Sequence, residues 1–383
     1  MANHLFNTVE QYDIYIDGVD DYMVYNSEGI ALLDFYNDEG VVGCGYNLLR
    51  ETFSEASNGA PYYVPRVFKN KDREMAANEL CYYMGYDKAF FCNSGTEAVE
   101  AAIKVARRYN DLNNYPNRDT IYTFYNAFHG RTYGSLTASD STPYHKEGFG
   151  PFLPGFKHFT WPDEIDWYRC LAVLVTPAFV NHSDFLEYPP YWLAELRNMC
   201  SSTGALFMVD EIQTGFGRCG AWKLMDVYGI QPDLICVGKG IANGLPVAGI
   251  LTTEGIASVI TPGRHFSTFG GWPMGMKAIN KVIEFVEPMI VSGEIDAKGE
   301  FLRGCLKEKS WAKCVRGRGM LTVCNVDVDA RRVCEIAMEH GILMATHRPW
   351  CLKLSPPLIM PEGVLSWTVE QIDHVITKHG KDF

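Results

Sequence analysis

Short apolar runs recur along the first two thirds of the chain. They are continuous rather than alternating, and they cover residues 89–91, 121–124, 171–175, 205–209 and 234–237. Continuous runs suit strands that are buried on both faces, as in a parallel sheet covered by helices. The pattern therefore predicts an α/β fold with a mostly parallel sheet.

Amphipathic stretches separate these runs. After Thr96, apolar residues fall at positions 98, 101, 102, 105, 106 and 109, which is the spacing of one helix face. Further helices are predicted over 191–200, 273–287 and 369–378, and a strand over 321–326. We therefore expect an N-terminal segment (1–45) packing with a small α+β domain (273–383), and a large α/β domain between them (46–272).

Composition narrows the class of protein. The 383 residues are 47% hydrophobic, a content typical of a chain with a buried core. Lys and Arg number 34 against 46 Asp and Glu, for a net charge of −12. An acidic chain has no overall field that attracts phosphate backbones, so we expect no nucleic-acid backbone binding.

The twelve cysteines show no C-x-x-C spacing, so no metal site is predicted from them. The start, MANHLFNTVE, lacks the basic and apolar regions of a signal peptide, and no apolar run is long enough to span a membrane. We expect a cytoplasmic enzyme with reduced thiols and no membrane association.

Chemistry is expected beyond the carboxyl ends of the strands, where parallel α/β sheets bind ligands. The first run is followed by the turn 92–97, Cys-Asn-Ser-Gly-Thr-Glu, which opens a helix. Free backbone N–H groups and the helix dipole suit a phosphate there. The alternative is that Asn93 or Ser94 only caps the helix.

An acid and a lysine follow two later runs. Asp210 ends the fourth, and an acid there is costly to bury unless it is paired, for example with a protonated ring nitrogen. Lys239, between Gly238 and Gly240, follows the fifth and could act as an amine nucleophile if it were desolvated. The alternatives are a capping acid and a solvated surface lysine.

The three features together have one shared interpretation. A phosphate cradle, an acid and a lysine are the parts that hold pyridoxal 5′-phosphate: the phosphate is anchored, the ring nitrogen is kept protonated and the aldehyde forms a Schiff base. A Rossmann dinucleotide site would need G-x-G-x-x-G after the first strand, and the sequence has no such run there.

At these residues the sequence resembles the class III aminotransferases, which are fold-type-I pyridoxal-phosphate enzymes that include ornithine and acetylornithine aminotransferases. The resemblance extends from about Gly43 to Pro357. It rests on six blocks, residues 91–98, 128–132, 209–218, 231–240, 244–249 and 267–271.

The resemblance implies roles around the cofactor ring. Lys239 would form the Schiff base and then move the proton between the substrate Cα and the cofactor. Asp210 would pair with the ring nitrogen, and Gln213 would reach the phenolic oxygen. Phe128 would stack on one ring face, and Ile212 would pack on the other.

The resemblance also implies a shared site in a homodimer. Ser94, Gly95 and Thr96 would hold the phosphate through backbone and hydroxyl groups. Thr268 would reach the phosphate of the neighbouring subunit.

Substrate residues depart from the family pattern. Relatives have acids where this chain has Thr176 and Asn181, and an arginine where it has Lys353, which cannot copy the two-pronged grip of arginine on a carboxylate. Trp272 replaces an asparagine. Arg131 remains and could bind a substrate carboxylate, or form an internal ion pair.

The sequence thus predicts an aminotransferase that moves an amino group from an amine or amino acid to a carbonyl acceptor. A pyridoxal-phosphate decarboxylase, lyase or aminomutase on the same scaffold is the first alternative, because these reactions share the early steps. A non-catalytic dimeric binding or scaffold protein is the second, and the presence of both Asp210 and Lys239 counts against it.

Overall fold

A computed structural model of the chain describes residues 8, 12, 14–37, 40–179, 185–344, 346 and 348–379. Its strands are β1 (Ile16–Asp20), β2 (Met23–Asn26), β3 (Ala31–Asp34), β4 (Lys88–Cys92), β5 (Thr120–Phe124), β6 (Phe156–Phe159), β7 (Cys170–Val175), β8 (Ala178–Phe179), β9 (Leu186–Glu187), β10 (Leu206–Asp210), β11 (Leu234–Val237), β12 (Ala248–Thr252), β13 (Ala312–Arg318), β14 (Leu321–Val326), β15 (Ile342–Leu343) and β16 (Cys351–Leu354). Its α-helices are α1 (Arg50–Ser57), α2 (Lys71–Met84), α3 (Gly95–Leu112), α4 (Tyr133–Ala138), α5 (Pro190–Thr203), α6 (Leu224–Val227), α7 (Glu254–Ala257), α8 (Pro273–Ser292), α9 (Glu294–Lys307), α10 (Ala330–Glu339) and α11 (Glu362–His379).

A seven-stranded sheet forms the centre, in the order β4-β12-β11-β10-β7-β5-β6. All five predicted runs are strands of this sheet, and its mostly parallel character is confirmed. The exception is β12, which runs antiparallel to both β11 and β4. The inner strands β7, β10 and β11 are buried at every residue, as continuous apolar runs predict.

Three smaller sheets accompany it. The order β1-β2-β3-β15 joins the N-terminal strands to the C-terminal part, because Leu33 and Asp34 pair in parallel with Ile342 and Leu343. A second sheet has the order β13-β14-β16, and β8 pairs with β9. The domain boundaries at residues 45 and 272 stay predictions.

Helices cover the central sheet. The predicted face of α3, from Ala98 to Ala106, is buried against β7, β11 and β12. The largest hydrophobic cluster joins α2 and α8 to α9, α10 and α11, so the core continues from the central sheet into the C-terminal part. Within the described residues, no helix is long and apolar enough to cross a membrane.

Candidate active site

Four loops at the carboxyl ends of central strands meet at one place. They are the β4–α3 turn at Gly95 and Thr96, the loop 125–132 after β5, the segment 210–213 ending β10, and the segment 238–242 after β11. The strands β4, β5, β10 and β11 run in the same direction, so their carboxyl ends share one edge of the sheet. This is the edge where ligands bind in parallel α/β folds.

Ile212 lies between the turn and the lysine loop. A Cβ atom added to Gly95 would lie 2.8 Å from Ile212 Cδ1, and one added to Gly238 would lie 3.3 Å from Ile212 Cγ2. A side chain at Gly95 would therefore displace Ile212, whereas one at Gly238 would only tighten the contact. The contact brings the predicted phosphate turn, the predicted ring-packing residue and the residue before Lys239 together.

Lys239 begins a 3₁₀ turn, Lys239–Ala242, in a strained backbone conformation. Its φ angle is +47°, in the left-handed region that residues with a Cβ rarely adopt. Such strain costs on the order of 1–3 kcal/mol and persists where the surrounding structure imposes it, most often at functional sites. The strain at Lys239 therefore agrees with a functional role for this residue.

Asp210 is paired with a residue of the β5 loop. The His129 ring lies with Nδ1 2.9 Å from Asp210 Oδ2, and the backbone N–H of Ile212 donates to Asp210 Oδ1 at 3.1 Å. Asp210 is 6% exposed and His129 is 2% exposed. His129 is itself fixed, because its backbone N–H donates to Ser139 Oγ at 2.8 Å. The pair ties the β5 loop to the end of β10.

The neighbouring acid, Glu211, makes different contacts. Its Oε1 accepts the backbone N–H of Met225 at 2.9 Å, and the hydroxyl of Thr214 donates to Oε2. Burial raises the pKa of Glu211 to about 7. Of the two consecutive acids, Glu211 accepts hydrogen bonds from Thr214 and Met225, and Asp210 lies at the four-loop site.

The Thr96 hydroxyl is engaged inside the protein. Its Oγ1 accepts the backbone N–H groups of Arg131 and Thr132, at 3.3 and 3.2 Å. It also lies 2.8 Å from Thr132 Oγ1 and 2.6 Å from Ser135 Oγ. A hydroxyl has one donor and two acceptor sites, so these partners already occupy it. Thr96 thus fixes the β5 loop against the start of α3.

The backbone of the same turn is open. In the described part of the chain, the N–H groups of Gly95 and Thr96 have no acceptor, as is usual in the first turn of a helix. The carboxylate of Glu97 accepts the N–H groups of Asn93 and Ser94, each at 2.9 Å, and the Ser94 hydroxyl at 3.0 Å. Ser94 is the N-cap of a capping box with Glu97, which is the alternative role, beside two free backbone donors.

The predicted substrate residue Arg131 lies next to Phe128. The Phe128 side chain is 38% exposed, and the guanidinium carbon of Arg131 lies 5.6 Å from the centre of its ring. Arg131 is exposed. An ion pair for it, the alternative role, is not found among the described residues.

The remaining predicted residues lie on other elements or lack a described contact here. Thr268 is exposed on the loop before α8, and Lys353 is 6% exposed on β16, opposite Val323 of β14. Thr176 follows β7 beside the end of β10, with a buried hydroxyl that has no partner among the described residues. Gln213 follows Ile212 in the same loop, and Asn181 lies outside the described residues.

His129 is the main residue near Asp210 that the sequence does not predict. It stands in the matched block 128–132, but nothing in its own spacing indicates a partner 81 residues away. The same holds for Ser135 and Glu100, which fix the β5 loop through Thr96 and Thr132. No cluster of three or more metal-binding side chains is found among the residues that the structure describes.

Comparison with known proteins identifies the family. A family model described as aminotransferase class-III matches residues 7–376. The chain belongs to the class III aminotransferases. The acetylornithine aminotransferase of Aquifex aeolicus is 33% identical over 361 residues, which cover 92% of this chain and 93% of that protein. The predicted family and enzyme class are confirmed.

Solved structures of the family have the same fold. An ornithine aminotransferase from Toxoplasma gondii, with pyridoxal phosphate at partial occupancy in its active site, superposes with a TM-score of 0.88 at 25% identity. That match covers 98% of this chain and 93% of the other. An amine transaminase from an uncultivated Pseudomonas species, in its pyridoxal-phosphate-bound form, gives 0.86 at 20% identity and covers 99% of both chains. The predicted fold type I is therefore confirmed, and members of this family bind pyridoxal phosphate.

Proposed function

We propose that this class III aminotransferase binds pyridoxal 5′-phosphate at the four-loop site and carries it on Lys239. It would move an amino group from an amine or amino acid to a carbonyl acceptor. The observation that carries the proposal is the meeting of the Gly95 turn, Asp210 and the Gly238–Lys239 segment around Ile212.

The phosphate end of the site fits the group. The free N–H groups of Gly95 and Thr96 lie at the start of α3, whose 18 residues direct the positive end of the helix dipole to the same point. Because the Thr96 hydroxyl is already occupied, the proposal assigns Thr96 a backbone contact to the phosphate, with Ser94 and Gly95 beside it.

The ring end fits as well. Asp210 is a buried carboxylate that has His129 and the Ile212 N–H as partners, and it can accept one further donor. A protonated ring nitrogen is such a donor. Phe128 and Ile212 supply apolar surfaces for the two ring faces, and Gln213 supplies an amide for the phenolic oxygen.

When bound, pyridoxal phosphate supplies an aldehyde that condenses with amines and a cationic ring that withdraws electrons from the substrate Cα. Asp210 holds the proton on the ring nitrogen, since a buried carboxylate favours a neighbouring cation. Lys239 provides the amine for covalent attachment. The same Lys239 amine would take the proton from the substrate Cα and return it during transfer of the amino group.

A homodimer is part of the proposal. Tyr62, Tyr63 and Phe269 line one cavity, and Phe68 and Phe266 lie on the same two segments of the chain. We call these five residues, each at least 39% exposed, the aromatic face. The Tyr63 and Phe269 rings are 6.0 Å apart, and both residues line this cavity of about 970 Å³. None of the described residues that line this cavity is charged. An exposed apolar face of this kind is typical of a protein interface.

The second copy of the chain is the occupant that we propose for this face. Thr268 lies between Phe266 and Phe269 on the exposed loop, so a partner covering the aromatic face would meet it. Thr268 would then reach the phosphate in the partner's site. Each active site would be built from two chains.

Arg131, Lys353 and Thr176 are the residues that bear on the choice of amino donor. Arg131 is an exposed cation beside Phe128, and it is the residue proposed to bind a substrate carboxylate. Lys353 is buried on β16, and we propose it as a second, weaker carboxylate contact. Thr176 offers a hydroxyl without a partner in the described part of the chain, where relatives offer a carboxylate.

A cytoplasmic location completes the proposal. In the described part of the chain, none of the twelve cysteines forms a disulfide bond. Burial raises the pKa of most of these thiols, and it raises the pKa of Cys44 and of Cys92 to about 12. Thiols with a raised pKa stay protonated and unreactive. Reduced, unpaired thiols are usual in cytosolic proteins.

Absorbance of the cofactor tests the proposal. The purified protein saturated with pyridoxal phosphate should be yellow, and Lys239→Ala should not show the wild-type absorbance. Adding an amino donor without an acceptor should convert the spectrum to that of the pyridoxamine form. A colourless wild type would refute the proposal, and release of CO₂ or ammonia without the spectral change would favour a decarboxylase or lyase instead.

A further inference from the structure

Two arginines hold the loop that carries Thr268. We call residues 266–271 the Thr268 loop. Arg66 donates through one guanidinium nitrogen to the carbonyls of Ser267 and Gly270, both at 3.2 Å. Arg73 donates to the carbonyl of Gly271 at 2.9 Å. The anchored carbonyls lie on both sides of Thr268, so the loop is fixed before and after it.

The shape of the loop depends on Arg73 and on strand β4. A Cβ atom on Gly271, where φ is +75°, would lie 2.8 Å from the Arg73 Nε. One on Gly270 would lie 2.0 Å from the carbonyl oxygen of Phe91. The loop is therefore seated against the arginine on one side and against the end of β4 on the other.

Further contacts connect the Thr268 loop to the phosphate turn of its own chain. Asn93, next to Ser94, donates through its side-chain amide to Ser267 Oγ at 3.3 Å. Arg66 also lies over the rings of Phe90 and Phe266, at 5.7 and 5.5 Å from their centres. The arginines thus set the loop relative to β4.

Both cations lack a carboxylate partner. Among the described residues, no Asp or Glu oxygen lies within ion-pair distance of Arg66 or Arg73, and their hydrogen bonds go to carbonyls. Burial, together with the charge of Arg73, lowers the pKa of Arg66, yet a guanidinium keeps its charge at neutral pH. Two positive charges that have no carboxylate partner in the described part of the chain therefore contact the Thr268 loop, where an anion would be stabilised.

We infer that Arg66 and Arg73 are positioning residues for the cofactor site of the partner subunit. They hold Thr268 in place, and their charges favour a phosphate that it contacts. The inference rests on the proposed function, because it takes the homodimer and the contact of Thr268 with the partner's phosphate from it. It adds a direction: the two arginines act across the interface and not on the Lys239 of their own chain.

Mixed dimers test that direction. Chains with two different affinity tags are co-expressed, and only dimers bearing both tags are kept. In the first mixed dimer, one chain carries Lys239→Ala with Arg66→Gln and Arg73→Gln, and the other is wild type. In the second, one chain carries only Lys239→Ala, and the other carries only the two arginine substitutions.

Each mixed dimer has one chain with a functional Lys239. In the first dimer, the Thr268 loop that faces this site carries the arginine substitutions. In the second dimer, the loop that faces it is wild type. The Kd of pyridoxal phosphate for that site is measured by absorbance titration of the cofactor-free dimer. The reference is the dimer of one Lys239→Ala chain and one wild-type chain. We expect a Kd at least tenfold higher than this reference in the first mixed dimer, and a Kd within twofold of it in the second. Thr268→Ala in place of the arginine substitutions should reproduce the same difference.

Equal Kd values in the two mixed dimers would overturn the inference. A Kd raised only in the second dimer would overturn it as well, because arginines that act on the site of their own chain weaken the chain that carries both the substitutions and the functional Lys239. If the double variant does not fold, Arg66→Gln alone is compared in the two arrangements, with the same criterion. Arg169→Gln, which removes an exposed ion pair with Asp119, is the control and should leave both Kd values unchanged. A wild type that is monomeric or does not bind the cofactor would refute the proposed function instead.

Discussion

His129 Nδ1 lies 2.9 Å from Asp210 Oδ2, and both side chains are almost completely buried. The imidazole Nε2 has no partner in the described part of the chain. The Nδ1 position therefore carries the hydrogen bond that orients the carboxylate. A buried carboxylate with a fixed orientation can hold a cationic partner at a defined position, which is the role proposed for Asp210.

Removing this hydrogen bond should impair catalysis. His129→Leu leaves Asp210 Oδ2 without its partner, and a hydrogen bond to a charged group contributes about 1.5–3 kcal/mol. We expect kcat to fall about tenfold to a hundredfold, since about 1.4 kcal/mol corresponds to tenfold. His129→Asn retains an N–H donor and should keep most of the activity. Wild-type kcat in the leucine variant, or equal losses in both variants, would contradict this role.

Filling the space at Gly95 should weaken cofactor binding. The Cβ of Gly95→Ala would lie 2.8 Å from Ile212 Cδ1, so Ile212 must move from the site. Displacing one well-packed side chain costs about 1–3 kcal/mol, which predicts a Kd for pyridoxal phosphate at least about fivefold higher. Gly255→Ala is the matched control, because a Cβ there meets nothing within 4 Å. The idea fails if equilibrium dialysis gives the same Kd for both variants.

Glu211 should make the protein less stable as the pH rises. Its pKa is raised to about 7 in the folded protein. The folded state therefore binds this proton more tightly than the unfolded chain does. The stabilisation that the proton gives is complete below the ordinary glutamate pKa of 4.5, and it is lost as the pH rises to about 7.

Urea unfolding at two pH values measures this contribution. Between about pH 5.5 and 8.5 the wild type should lose on the order of 2 kcal/mol more free energy of unfolding than Glu211→Gln, because each pKa unit corresponds to about 1.4 kcal/mol. Parallel pH dependences of the two proteins would show that Glu211 does not titrate with a raised pKa.

The lysine at position 353 should limit the use of carboxylate donors. Lys353 is a single-point cation, whereas arginine binds a carboxylate through two parallel hydrogen bonds. If Lys353 contacts the donor, Lys353→Arg should raise kcat/KM for glutamate by about tenfold, the effect of roughly 1.4 kcal/mol of added binding. Lys353→Met serves as the control and should lower it. No gain with arginine would mean that this position does not decide the choice of donor.

Much of the sheet could be predicted because its strands are buried on both faces. The runs at β7, β10 and β11 are apolar at nearly every position, and short continuous runs of this kind are typical of inner strands. Strand β6 was missed because Lys157 and His158 interrupt it, and β12 because Gly249 does. The antiparallel direction of β12 depends on its neighbours and has no signal in its own residues.

The sequence predicts the places of Asp210 and Lys239 at the carboxyl ends of their strands, because Asp210 ends β10 and only Gly238 separates Lys239 from β11. It does not predict the partner of Asp210, because β7 lies between β5 and β10 in the sheet, and this order cannot be read from the chain. The contacts of Arg66 with the Thr268 loop span about 200 residues, and so they too required the folded structure.

The proposed function requires that Lys239 carry the cofactor while Asp210 holds its ring nitrogen. Borohydride reduction of the protein loaded with pyridoxal phosphate fixes the lysine–cofactor linkage permanently, and peptide mapping by mass spectrometry then locates it. We predict one modified residue per chain, at Lys239, and no specific label in Lys239→Ala. A label on a different lysine in the wild type, or no label at all, would contradict the account.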